Sequence, residues 1–301
     1  MIKKENIPPD PEQSFRFFSW KDSLKNLYLY QGKREVVEEQ GMGNEWHFHP
    51  EIELTLFTQG AGFRYIGDDV RFFTAPELVL LGSNLPHHWE VGESSGFCIQ
   101  FSPDPTSPLT GLRESSGLKD LLGRSAKGLL FSKRCTEEVK DMMEDGLEGT
   151  PIERLTVFLQ ILNRLNKARA TAISSCVPQG LSANKSDVVQ KAVRFIVENA
   201  TDENLELQSV LDHVSMSRAT FSRHFQQALG QSYTRFVQSI RLETARNLLA
   251  STDKPVTEIA YAAGFSNLSH FNVLFKKRWA MAPRDLRNSL VSFESRRDNT
   301  C

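Results

Sequence analysis

Hydrophobic positions change their period twice along the chain. From about Phe15 to Phe101 they fall in short runs, LYLYQ, WHFHPEIELTLFTQG, GFRYIGDD, VRFFTAPELVLLG and GFCIQFS, divided by Gly, Pro, Asn and Asp. Many short strands with regular turn signals predict a small antiparallel barrel or sandwich. Between Leu118 and Arg169 the spacing becomes helical. Leu118, Leu121 and Leu122, then Val139, Met142, Met143 and Leu147, then Ile152, Leu155, Phe158, Leu159, Leu162 and Leu165 mark three helices, separated by Gly128 to Thr136 and by Gly146 to Pro151. Thr171 to Ser186 is polar, small and broken by Pro178 and Gly180, the composition of a linker. Helical spacing resumes from Asp187, so the pattern predicts an α+β chain of two domains, the first rich in strands and the second all-α.

The second domain carries a doubled motif. Val256, Ile259, Ala260 and Ala263 share one helical face. Gly264 follows where a tight turn needs positive φ, and Ser266 is a suitable N-cap for the next helix. In that helix Leu268, Phe271, Leu274 and Phe275 form the inner stripe. Asn267, Ser269, His270 and Asn272 face outward, with Lys276, Lys277 and Arg278 at the end. A short helix with small polar side chains and terminal cations suits a major groove and its phosphates. Leu205 to Gly230 is a fainter copy about 50 residues earlier, with Leu211 at a position that is small in the later copy and Ser215 in place of the turn glycine. There Ser217 caps a helix that buries Phe221 and Phe225 and presents Arg218, Ala219, Ser222 and Arg223. Tyr233 to Leu249 between the copies reads as one linker helix, roughly 25 Å long.

These residues, with Ile259-Ala260, Gly264-Phe265-Ser266, Phe271, Phe275-Lys276-Lys277, Pro283 and Arg287, resemble the signature of the AraC/XylS family of bacterial transcription regulators. The resemblance implies two helix-turn-helix units and carries the family's base-contacting arginine onto Arg223. In the second unit Val273 takes that place, leaving Asn267, Ser269 and Asn272 to read bases, with Lys276 and Lys277 near phosphates and Arg287 a structural or phosphate contact. Ala280 and Ala282 depart from the family's usual glycine and Ser/Thr before Pro283.

In the first domain alternation puts Ile52, Leu54 and Leu56 on one strand face and His47, His49, Glu51 and Glu53 on the other, provided Pro50 keeps the register. The spacing Gly41, His47, His49, Glu53, Gly60 resembles the first motif of the cupin barrel. In metal-binding cupins the two His and the Glu are ligands, joined by a His from a second motif. Here that motif is degenerate, with Leu78 where glycine is usual, and His87 or His88 is the candidate fourth ligand. Two readings stay open. His47, His49, Glu53 and His87 would make an N₃O set for a divalent metal. Cupin domains in regulators of this family commonly lack the metal, so no cofactor is assigned, and these four residues with Trp46, Arg64, Tyr65 and Trp89 are assigned to a small polar effector.

A formal net charge of −1 excludes a strongly basic architectural DNA binder. Residues 186–301 hold 15 Lys/Arg against 12 Asp/Glu, so phosphate contacts must rest on local clusters. Cys98, Cys135, Cys176 and Cys301 form no C-x-x-C pair and read as reduced thiols, and no run approaches the ~18 apolar residues of a membrane span. Taken with the resemblance, the expected protein is a cytoplasmic, nucleoid-associated, homodimeric regulator and not an enzyme, with promoter DNA, RNA polymerase and a sugar-like effector as partners and no membrane association. A cupin metalloenzyme with a DNA-binding tail is the alternative, which the degenerate second motif disfavours. The expected divisions are an arm at 1–13, a barrel at 14–110, a helical dimerisation region at 111–170, a linker at 171–186, a DNA-binding domain at 187–291 and a tail at 292–301.

Overall fold

A computed structural model describes residues 15–31, 35–40, 43, 46–102, 113–147, 149–175 and 183–288. The expected arm, the tail from 292, Gly41, Cys176 and Cys301 lie outside them. Two compact units result, one built on the strands and the helices up to residue 190 and the other on the helices from Lys191.

The first unit holds eleven described strands: β1 Phe15–Trp20, β2 Asn26–Gln31, β3 Glu35–Gln40, β4 Ile52–Gln59, β5 Ala61–Ile66, β6 Asp69–Thr74, β7 Glu77–Leu81, β8 His87–Val91, β9 Ser95–Phe101, β10 Leu129–Phe131 and β11 Ala170–Ala172. Eight form one sheet in the order β11-β10-β7-β4-β9-β1-β2-β3, and β6-β5-β8 form a second. One apolar core, with Phe18, Phe57, Val79, Ile66, Phe73 and Trp89, draws residues from both sheets. The other face of the large sheet, with Leu54, Leu56, Leu78, Leu80 and Ile99, packs on three helices, α1 Leu118–Ser125, α2 Lys133–Leu147 and α3 Pro151–Lys167, through Leu121, Val139, Met143, Phe158 and Leu162. This double covering explains why β4 is buried on both faces over its first six residues although its sequence alternates.

Two boundaries differ from the sequence reading. Leu129–Phe131 and Ala170–Ala172 pair with each other, and β10 pairs with β7, so one strand fills the break read between the first two helices and another follows the third. Three residues are too few to display a period of two. The residues from 171 to 174, expected to open a linker, are instead tied to this unit: beyond β11, the Ile173 and Ser174 amides donate to the carbonyls of Gly128 and Lys127. Asp68, in the β5–β6 turn, accepts from the Ser174 hydroxyl at 2.8 Å and from the Ser175 amide at 2.8 Å. The run VRFFTAPELVLLG is likewise two strands, β6 and β7, parted at Pro76.

The second unit is built mainly on α4 Ala183–Asn199 from Lys191 onward, α5 Leu207–Val214, α6 Arg218–Leu229, α7 Tyr233–Ser251, α8 Val256–Ala262, α9 Leu268–Trp279 and a short helix at 283–288. Ile259, Ala260, Ala263, Phe271 and Phe275 close a core against Leu242, Ala245 and Leu249 of α7. In the first helix pair Phe221 and Phe225 are buried, and the Phe225 ring meets Phe236 of α7 edge-on at 5.6 Å. The long helix thus supplies the inner wall to both pairs.

Candidate functional site

Each helix pair in the second unit ends its first helix in the same way. The Met216 amide reaches back to Leu211 O at 3.1 Å, and the Phe265 amide to Ala260 O at 3.0 Å, the bond that closes a Schellman turn. The left-handed residue of that turn is Ser215 at φ 52° in one pair and Gly264 at φ 90° in the other. From there the pairs diverge by one residue. Ser217 Oγ accepts the Thr220 amide at 3.3 Å, whereas in the second pair Asn267 Oδ1 accepts the His270 amide at 2.9 Å. The N-cap of α9 is therefore Asn267 and not Ser266, because the second turn is one residue longer. Its carbonyl oxygen is spent on the cap, leaving its amide NH₂ as the group that could face a base.

The candidate DNA-contacting residues stand at the surface. On α6, Arg218, Ala219, Ser222 and Arg223 are exposed; on α9, so are Ser269, Asn272, Lys276 and Lys277, with Asn267 at its start. Val273 is 65% exposed, a valine on an otherwise polar face. Ala219, Ser222 and Arg223 match Ser269, Asn272 and Val273 at an offset of 50, and each trio follows the i, i+3, i+4 spacing of one helical face. Arg287 is half-buried, and its guanidinium donates to Lys254 O at 2.7 Å, so it ties the last short helix to the approach of α8.

In the first unit all eight effector candidates are buried: Trp46, His47, His49, Glu53, Arg64, Tyr65, His87 and Trp89. Pro50 does end the strand, since β4 begins at Ile52, but His47 and His87 exchange two backbone hydrogen bonds at 3.1 and 3.0 Å. That bridge sets the His47 and His87 rings 4.2 Å apart, with the His49 ring 5.2 Å from His87. One ligand atom from each of His47, His49, Glu53 and His87 lies within 4.8 Å of the others.

The hydrogen bonds orient this set. His49 Nδ1 donates to Glu51 O at 3.2 Å and His87 Nδ1 to Leu85 O at 2.8 Å, because a carbonyl can only accept. Both Nε2 atoms therefore turn toward Glu53, at 3.0 Å from His49 and 3.8 Å from His87. The carboxylate is itself held by the Thr55 hydroxyl at 2.5 Å and by Gln100 Nε2 at 3.0 Å. Burial pushes the Glu53 carboxyl up, but hydrogen bonds and charge from His49 and His87 outweigh it and hold it well below the usual range. Two imidazoles fixed through Nδ1, with Nε2 facing a hydrogen-bonded carboxylate, are the donor arrangement a divalent cation requires, and the set fits one. Thr55 and Gln100 escaped the sequence reading. Thr55 shares the period-two face with Glu53, but Gln100 meets it only because β9 pairs with β4.

Other candidates separate. Arg64 pairs with Trp89 across β5 and β8, while Tyr65 pairs with His88, so adjacent residues on β5 serve opposite faces. Trp89 meets the His87 ring edge-on at 5.3 Å. Tyr65 instead lies tilted against the His88 ring, centroids 5.1 Å apart, and donates its hydroxyl to Glu90 at 2.7 Å. The Arg64 guanidinium is occupied by Glu77 at 2.8 Å and Asp69 at 3.6 Å. Lys119, Asp120 and Arg124 of α1 border an open surface depression away from these residues.

Among the described residues no helix is long and apolar enough to cross a membrane. A family model described as a helix-turn-helix domain matches residues 210–289. The chain is 26% identical over 251 residues to the HTH-type transcriptional activator RhaS of Enterobacter sp. (strain 638), covering 80% of this chain and 86% of that protein. It is also 26% identical over 260 residues to RhaS of Pectobacterium carotovorum, covering 82% and 89%. The C-terminal domain of AraT, a response regulator from Geobacillus stearothermophilus, is a solved structure with 32% identity over 37% of this chain and 88% of that one, at a TM-score of 0.34. The chain thus carries a helix-turn-helix domain of the AraC type at its C-terminus and is homologous to the RhaS activators.

Proposed function

We propose that this protein is a sequence-specific transcription regulator, an activator, that reads promoter DNA with α6 and α9 and answers to a small polar, sugar-like effector in its strand-rich unit. The observation that carries the reading is the pair of capped helices, each presenting its candidate trio outward from a buried aromatic pair. Arg223 supplies a planar fork for guanine O6 and N7, and Ser222 and Arg218 flank it. On α9, Asn267, Ser269 and Asn272 offer smaller polar contacts, Val273 an apolar one for a thymine methyl, and Lys276 and Lys277 meet phosphates. Arg287 acts chiefly through the backbone it binds. The protein works as a cytoplasmic homodimer that engages RNA polymerase and carries out no catalysis of its own. The exposed Ile152 and Leu159 on α3 support a dimer surface there, since the rest of that helix's apolar side is spent on the sheet.

Selection of DNA from a random pool, followed by binding to the enriched sites with and without candidate sugars, tests the reading. Enrichment of a bipartite site is expected, and recovery of unenriched DNA overturns it.

The barrel site supports a second component. His47, His49, Glu53 and His87 would hold a divalent cation, which when bound supplies a Lewis-acidic contact for an effector hydroxyl or carboxylate. The carbonyls of Glu51 and Leu85 orient the imidazoles, and Thr55 and Gln100 fix the carboxylate. Metal analysis of the purified chain beside its His49→Ala variant checks this: a metal content equal in the two proteins excludes the assignment.

A further inference from the structure

The signature glycine of the second helix-turn-helix is hemmed in by the turn that leads into the first and by α7. A Cβ built on Gly264 would come 2.9 Å from Ala200 O, 3.0 Å from the Thr201 carbonyl carbon and 2.9 Å from Arg241 Nε. Ala200 to Asp202 belong to the turn that follows α4 and leads into α5, so this stretch sits against the turn between α8 and α9. Arg241, on α7 between the two pairs, joins them. Its Nε donates to Ala200 O at 2.7 Å and its Nη2 to Asp202 O at 2.7 Å. Tyr233, two turns earlier on α7, donates its hydroxyl to Leu205 O at 3.4 Å. Burial weakens the hold of the Arg241 guanidinium on its proton, in keeping with a cation drawn from solvent to satisfy carbonyls.

We propose that Arg241 is a positioning residue for DNA recognition: by clamping the Ala200–Asp202 turn onto the Gly264 turn, it sets the separation of the two recognition helices and hence the spacing of the half-sites they read. Several features favour this over a local folding role. The guanidinium makes two parallel donations to one turn while its stem belongs to the helix shared by both units, so it spans elements whose own cores close without it. Phe221 and Phe225 fill the first core, and Phe271 and Phe275 the second. A fork with fixed geometry transmits orientation, whereas a lysine ammonium is a compact charge on a flexible stem whose donors rotate freely. Without the clamp, the two reading heads behave as modules on a looser joint, and their combined affinity falls through effective concentration rather than through any lost base contact.

The proposal rests on both helices reading DNA, so the test has one arm that needs no DNA. Spin labels are placed on Ser222→Cys and Ser269→Cys in a full-length chain also carrying Cys176→Ser and Cys301→Ser, diluted with unlabelled protein. The distance between labels is then measured in that chain and in the same chain with Arg241→Ala, Arg241→Lys or, as an exposed control on α7, Arg235→Ala. The expected result is one narrow distribution in the parent and the control, broadened or displaced in both Arg241 variants with helical content retained. In the second arm, a site enriched from a random pool is compared with versions carrying one base pair more or fewer between its halves. Arg241→Ala is expected to bind the enriched site about tenfold more weakly and to lose much of the parent's spacing preference. A distribution with both the parent's width and the parent's mean distance in whichever Arg241 variant folds overturns the proposal. Unfolding of both variants also overturns it, since Arg241 is then a folding residue. If no DNA site is enriched, the DNA-reading assignment fails while the distance measurement still decides the clamp.

Discussion

Ser215 and Gly264 hold the same left-handed position in two successive helix-turn-helix turns, at φ 52° and φ 90°. The serine bears a strain that the glycine avoids, because a Cβ in this region crowds the following carbonyl. Ser215→Gly is expected to raise stability by about 0.5–1 kcal/mol, part of the relief being lost to the freer unfolded chain. Ala280, at φ 57° behind α9, should respond in the same direction. Gly264→Ala should cost more than about 2 kcal/mol, since backbone strain adds to a collision with Ala200 O. Thermal melts of the three variants check the order.

Base reading should be unequal between the units. Arg223→Ala is expected to lose about 1–3 kcal/mol of discrimination between an enriched site and random DNA. Val273→Ala should change that ratio by less, and Lys276→Ala should weaken both DNAs alike while lowering the salt dependence. Competition binding at several salt concentrations separates these outcomes. Equal losses on specific and random DNA for Arg223→Ala would sink its assignment as a base reader.

The barrel set can be probed through the residues that hold it. Gln100→Ala and Thr55→Val leave every proposed ligand in place but release the Glu53 carboxylate from its two donors. A loss of about 10–100-fold in affinity for added zinc or manganese is expected, the usual cost of removing an orienting partner. Calorimetric titration of the full chain gives the readout, and unchanged affinity in both variants argues against a metal on Glu53.

Glu77 offers a pH test. Burial pushes its carboxyl up from 4.5, and the nearby Asp69 charge adds to that rise, while the charge and hydrogen bond of Arg64 pull it down without cancelling it. A folded-state value above the unfolded one means that the folded chain holds the proton more tightly. Stability from this group is therefore full below about pH 4.5 and is lost as pH rises through the raised value. Glu77→Gln should leave stability unchanged at pH 4 and be neutral to about 1 kcal/mol stabilising at pH 7, with Asp69 still paired to Arg64. Denaturant titrations at the two pH values decide it.

Asp68 is expected to anchor the exit from the strand-rich unit. Gly67 is at φ 56°, and a Cβ there would meet Ser174 Oγ at 2.6 Å, so the two segments are in close contact. Asp68→Ala removes the acceptor of the Ser174 hydroxyl and the Ser175 amide. A loss of about 1–2 kcal/mol is expected, with faster hydrogen exchange at the Ser175 amide than in the parent.

The sequence by itself determined the two helix-turn-helix units, their inner aromatic stripes and the change from strands to helices, because each rests on local period and on turn residues whose backbone needs are intrinsic. It also brought His47, His49 and Glu53 together as a candidate set through the spacing of one motif. Arg64 and Tyr65, both effector candidates, face opposite sides of β5, as the period of two along a strand already requires. Only the tertiary structure decided that Gln100 meets Glu53, that Leu129–Phe131 and Ala170–Ala172 complete the large sheet, and that Arg241 reaches Ala200. These contacts join residues about 40 or more positions apart, and no local rule orders the strands or folds one helix pair against the next. The one-residue difference between the two turns belongs with them: Ser266 and Asn267 are both good caps, and the one that serves is set by where the packed Phe271 and Phe275 fix the start of α9.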